Sequence, residues 1–121
     1  MAEEPLVEAD IQAGSEFVKL LDEVGIPVQG AFWLYQADAA RWRLVIVTDE
    51  ARRGAKELYL KAINAGAAIE LSKVEFQPPE SAIFRALGGM IHIAGLGQVR
   101  MQQNTFNGVY VEDALVYRLA A

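Results

Sequence analysis

The chain has 121 residues, no cysteine and a formal net charge of −5. That length builds one domain around a single core, and the missing cysteines exclude disulfides, thiol nucleophiles and thiolate metal sites while fitting a reducing compartment. The acidic balance opposes attraction to nucleic acid, the N-terminal MAEEPLVEAD has acids where an export signal needs bases, and no apolar run reaches the roughly 20 residues of a membrane span. A cytoplasmic protein is therefore expected, with neither membrane nor nucleic acid as partner.

Residues 1–9 are acidic and aperiodic, an expected loose tail that picks up helix from about Asp10. From Ser15, which can cap a helix, Phe17, Leu20, Leu21 and Val24 fall on one helical stripe that Gly25 and Pro27 end. Residues 30–49 then read as two strands joined by a turn within 36–41. Both 31–35 and 44–47 are apolar at every position, the pattern of strands buried on two faces. Trp33 and Trp42 lie near the turn, where large rings on paired strands can stack and fix the register. The rest of the chain is expected to be arranged around this ribbon.

A second helix capped by Thr48 or Asp49 is predicted to run to about Ala65, with Ala55, Leu58, Tyr59 and Ala62 facing inward. Residues 68–77 suggest a strand bent near Lys73, and Pro78 and Pro79 open a third helix carrying Ile83, Phe84, Leu87 and Ile91. The spacing leaves 90–94 open between helix and extended chain. Residues 98–106 suggest an edge strand, and Asn107-Gly108 is a type I′ turn signal that returns the chain as a strand over 109–119. The expected fold is α+β: a mainly antiparallel sheet of about five strands with about three helices packed on it. If the helices gather on one face, a second subunit must cover the other, and that argument with an apolar fraction of 53% favours a homo-oligomer, a dimer first.

Candidate chemistry is sparse. Glu112 and Asp113 interrupt an apolar final strand, and a carboxylate there needs a partner. The ordinary reading is an ion pair with Arg43, Arg100 or Arg118; the functional one is a polar anchor or general base in a pocket. Arg52, Arg53 and Lys56 crowd the start of the second helix, where they are either a solvated charged face or an anion site. His92, the single histidine, suits a core or interface position with one hydrogen bond, and no G-x-S-x-G elbow supplies a serine for it. A zinc site at His92 would need acids for all its other ligands, so no metal is expected, and no motif implies a cofactor.

The segments Trp33-Leu34-Tyr35, Trp42-Arg43-Leu44-Val45-Ile46 and 104–114 (NTFNGVYVEDA), ending in Tyr117-Arg118, resemble a group of small uncharacterised bacterial proteins encoded in accessory and mobile parts of genomes, including gene cassettes. The resemblance implies a bacterial, cytoplasmic accessory protein and implies no activity. Three functional readings follow from the residues. The first is a binding module for a small, partly apolar ligand, lined by some of Trp33, Tyr35, Arg43, Gln102, Asn104, Tyr110, Glu112 and Asp113. The second is a protein-interaction module, and the third an enzyme with Glu112 or Asp113 as base, which lacks a second catalytic group.

Overall fold

The ribbon at 30–49 forms the middle of the sheet, and each of its faces is covered by helix. In the computed structural model, which describes residues 5–120, the elements are α1 (Glu8–Glu23), β1 (Gly30–Gln36), β2 (Arg41–Val47), α2 (Lys56–Asn64), β3 (Val74–Gln77), α3 (Ala82–Gly88), β4 (Val99–Phe106) and β5 (Val109–Leu119). The sheet order is β3-β2-β1-β5-β4. Every pairing is antiparallel except β2 with β3, which is parallel because α2 carries the chain back between them. The fold is α+β.

Alternation along the ribbon sends Ala31, Trp33, Tyr35, Trp42, Leu44 and Ile46 to one face, against Phe17, Val18 and Leu21 of α1 and Leu58 and Ala62 of α2. Phe32, Val45 and Val47 go to the other, against Phe84 and Leu87 of α3 and Val111, Ala114 and Val116 of β5. Ala31, Phe32, Trp33 and residues 44–47 have no accessible surface. The condition under which a second subunit had to cover the ribbon is therefore not met, because α3 covers that face from within the chain.

Polar atoms taken into this core need partners. Trp33 Nε1 donates to Tyr117 Oη at 3.0 Å, and Tyr117 Oη donates to the Ile11 carbonyl of α1 at 2.5 Å. Tyr117 can do this because β5 carries an extra residue there: Ala31 pairs with Arg118 and Phe32 with Val116, which leaves Tyr117 as a bulge. Helix α1 comes so close at Gly14 that a Cβ would lie 2.5 Å from Tyr117 Oη and 2.6 Å from Trp33 Nε1. Arg118, next to the bulge, ties α1 to the sheet through Asp22, both bonds being 2.9 Å.

Several local expectations are corrected. Helix α1 begins at Glu8 after Val7, with no side-chain cap, so Ser15 lies in its second turn. The loose tail assigned to 1–9 contains Leu6, which is buried, and two helical residues, while its first four residues lie outside those described. The second helix is broken: Thr48 caps a 3-10 turn over Asp49–Arg53, Gly54 follows at φ 101°, and α2 starts at Lys56. The strand expected over 68–77 is extended only at β3, after a 3-10 turn over Leu71–Lys73. Residues 90–94 are neither helix nor strand, although Ile93 forms an isolated bridge to Leu119. The Asn107-Gly108 turn has φ 47° and 80°, as a type I′ turn requires.

Burial pushes the Tyr117 hydroxyl up to about 12, with the bond from Trp33 opposing the shift. In the unfolded chain the group titrates near 10, so stability held by the neutral hydroxyl is complete below about pH 10 and is lost between about pH 10 and 12. Urea unfolding should therefore show a loss of about 2 kcal/mol between about pH 9 and 11.5, and a smaller one in Tyr117→Phe. Equal losses in the two chains would remove Tyr117 as the source.

Candidate functional site

The ribbon is covered along its length but less completely at its turn end, where α1 has only begun. There a cleft of about 300 Å³ opens, lined by Pro5, Val7, Asp10, Trp33, Arg41, Trp42, Arg43, Glu70, Ser72 and Lys73. Four parts of the chain meet in it: the entry and first turn of α1, Trp33 of β1, the start of β2, and the 3-10 turn before β3. Lys73 Nζ lies 3.4 Å from Asp10 Oδ1 and 3.8 Å from Glu70 Oε2, so one ammonium serves both acids of the lining. Arg43 Nε lies 3.1 Å from Glu75 Oε1, but off the line a hydrogen bond needs, so this buried N–H has no bonded acceptor. Among the described residues, Arg41 has no carboxylate within ion-pair distance.

Trp42 is held from two directions. Tyr35, its direct partner across the β1–β2 pair, packs on it with ring centroids 5.4 Å apart and planes tilted by 60°. The Arg100 guanidinium sits 5.5 Å from its ring centre. The expected stacking partner of Trp42 was Trp33; the register pairs Trp33 with Leu44 instead.

Arg100 is fixed in turn by Asp113, whose side chain is fully buried. Arg100 Nε meets Asp113 Oδ1 at 2.5 Å and Nη2 meets Oδ2 at 2.6 Å, while Gln102 Nε2 donates to Oδ2 at 3.2 Å. Three donors on two oxygens suit an ionised carboxylate and engage most of the lone pairs a general base would use. Of the arginines weighed for this acid, Arg100 takes it, Arg43 sits beside Glu75, and Arg118 binds Asp22.

The residues singled out by sequence thus separate into groups. Trp33 and Arg43 line the cleft, Tyr35 packs behind Trp42, and Asp113 with Gln102 forms the clamp on Arg100. Asn104 is exposed and donates to the Gln102 carbonyl, Tyr110 is exposed on the β4–β5 hairpin, and Glu112 is half-buried. None of these last three lines the cleft. His92 is exposed, not in the core.

At the charged start of α2, Arg52 is bonded to both Asp49 and Glu80, and its guanidinium holds the Glu80 carboxyl below the usual range. Arg53 and Lys56 line a depression of about 480 Å³ shared with Glu50, Glu57 and Lys61. That surface carries mixed charge. Among the described residues, no three histidine or acidic side chains converge in a way that would hold a metal ion, and no helix is long and apolar enough to cross a membrane.

Arg41, Asp10, Glu70, Ser72 and Lys73 also line the cleft, and no sequence pattern marks them. Asp10 lies at the margin of an aperiodic segment and 70–73 has the pattern of a strand, so neither signals its convergence on the turn. In comparisons with known proteins, no family model, curated protein or solved structure matches this chain.

Replacing Asp113 by Asn should cost about 2 kcal/mol, less than the roughly 3–5 of a fully buried pair because Arg100 is 39% exposed. A double-mutant cycle with Arg100→Gln, followed by urea unfolding, should give a coupling of at least about 1 kcal/mol. A coupling near zero would mean that the clamp adds nothing to stability.

Proposed function

We propose that this chain is a small binding module whose ligand, compact and partly apolar, occupies the cleft at the turn end of the ribbon. One observation carries the reading: Trp42, fixed by Tyr35 and Arg100, also lines a recess rimmed by cations and acids. A rigid aromatic wall with a few polar groups is the usual make-up of a small-molecule site, and about 300 Å³ falls at the lower end of such sites. The enzyme reading has the least support, since Asp113 is buried and held by Arg100 and Gln102, and Glu112 stands outside the cleft.

A fragment screen by ¹⁵N-¹H correlation spectroscopy should give hits whose shift changes gather on Asp10, Arg41, Arg43 and Ser72. Ser72 is exposed on the cleft wall, so Ser72→Trp should fill the recess, leave the melting temperature within a few degrees, and abolish those changes. Hits that map elsewhere, or that survive Ser72→Trp, would dispose of the cleft as the binding site.

Docking onto another protein chain, a second copy first, is a second reading favoured by a different surface. Leu60 and Ile63, one turn apart on α2, are 48% and 56% exposed. Sedimentation at micromolar concentration should give a two-chain mass that falls to one chain in the double variant Leu60→Lys, Ile63→Lys. A one-chain mass for the native protein would exclude self-association through this face.

A further inference from the structure

We infer that the far half of the β4–β5 hairpin, residues 104–111, is a flap that closes over the side of the sheet covered by α3 and lifts about Gln103 and Glu112 while the rest of the sheet stays paired. None of its residues lines the cleft, and it does not depend on what binds there. Its first support is a reversal of faces within one hairpin. Met101 and Phe106 are five residues apart on β4, and Val111 and Ala114 three apart on β5, yet all four are buried in the same apolar cluster. Odd separations along a regular strand point to opposite faces. The hairpin is therefore turned over between its base and its tip.

The reversal happens at one rung. The same register runs from Val99 with Val116 to Gln102 with Asp113, and resumes from Asn104 with Val111 to Phe106 with Val109; the rung missing between them is Gln103 opposite Glu112. Gln103 has φ 50°, in the left-handed region that side chains other than those of Asn and Asp seldom adopt. No residue is inserted, so this one change of backbone redirects the tip. Beyond it Phe106, Val109 and Val111 pack into the cluster that holds Phe32, Val45 and Leu87, and Tyr110 turns out to solvent. A Cβ added at Gly89, which caps α3, would lie 3.5 Å from Asn107 Nδ2, so the tip rests at the end of that helix.

Base and tip are held differently. On the base side of the hinge Arg100 and Gln102 both bond Asp113, and Ala114 pairs with Leu34 of β1. Pairing with β1 goes no further toward the tip. Among the described residues, no hydrogen bond or ion pair joins 104–111 to any part of the chain outside the hairpin. Apolar contact by Phe106, Val109 and Val111 closes the flap, and the left-handed backbone at Gln103 opposes its closing. A unit held in this way opens at a lower free energy than the domain unfolds.

The chain has no cysteine, so a single introduced thiol reports on its own position. Two pairs straddle the hinge: Val111→Cys against Ala114→Cys on β5, and Phe106→Cys against Met101→Cys on β4, all at buried positions of one cluster. Labelled with iodoacetamide in the folded full chain, the tip thiols should react at least about tenfold faster than the base thiols. Their rates should stay nearly flat in low urea, where those of the base rise steeply with global unfolding. Val111 stands next to the hinge, so its labelling reports lifting of the whole tip and not fraying at the turn. Adding Gln103→Val, whose β-branched side chain disfavours the left-handed backbone, should speed labelling at position 111 about threefold relative to position 114. If one pair of variants fails to fold, the other decides. Equal rates with equal urea dependence on the two sides of the hinge would overturn the flap, and no change with Gln103→Val would overturn Gln103 as its hinge.

Discussion

A β-ribbon with no face for water can exist only if something apolar lies against each side. Here the two halves of that cover come from different parts of the chain, α1 and α2 on one face and α3 with the far end of β5 on the other. Burying a large apolar side chain contributes about 1.5–3 kcal/mol, so the ribbon's aromatic and branched residues dominate the stability of the domain. The same burial creates a problem at Trp33, whose indole N–H cannot be left without an acceptor. The bulge at Tyr117 solves it by turning a phenol oxygen toward both Trp33 and the α1 backbone. One defect in the ladder of β5 therefore seats a helix, and the close approach that makes this work leaves room only for glycine at position 14.

Covering the ribbon this way determines where a cleft can be. Helix α1 runs over the middle of its face and begins at Glu8, so the turn end of the face is bounded by the short segment before the helix, its first turn and the 3-10 turn before β3. The parallel strand β3 starts at Val74, opposite Leu44, and leaves the first residues of β2 without a neighbour on that edge. The cleft is the space left by these two shortfalls. Its residues come from several elements, brought together because both the helix and the edge strand stop short of the turn.

Most of the fold was legible because its signals are local. Unbroken apolar runs gave the ribbon, and Asn107-Gly108 gave the last hairpin, since only a few residues tolerate positive φ in sequence. The start of α1 was not legible, because Val7 offers no capping side chain and the first turn, Glu8 to Ile11, has too few apolar residues to show a period. The 3-10 turn over Leu71–Lys73 was hidden in the same way, its residues passing for a bent strand. For the same reason the candidate cleft is only half visible in the sequence: Trp33 and Arg43 sit on the strong pattern, whereas Asp10, Glu70, Ser72 and Lys73 sit on the weak ones. The acidic pair on the last strand stands out as acids in an apolar run, but whether such an acid is already satisfied depends on partners brought in from β4.

That satisfaction decides what the acid does. Asp113 fixes Arg100, Arg100 sits against Trp42, and Trp42 both packs on Tyr35 and lines the cleft. A buried ion pair adds little net stability when weighed against the cost of desolvating its charges, so its presence is better understood through what it orients. Held on two sides by Tyr35 and Arg100, the indole keeps one orientation on the cleft wall, so the proposed binding would be spared the cost of ordering it. The buried carboxylate thus acts at one remove: paired with Arg100, it sets the geometry of the aromatic wall.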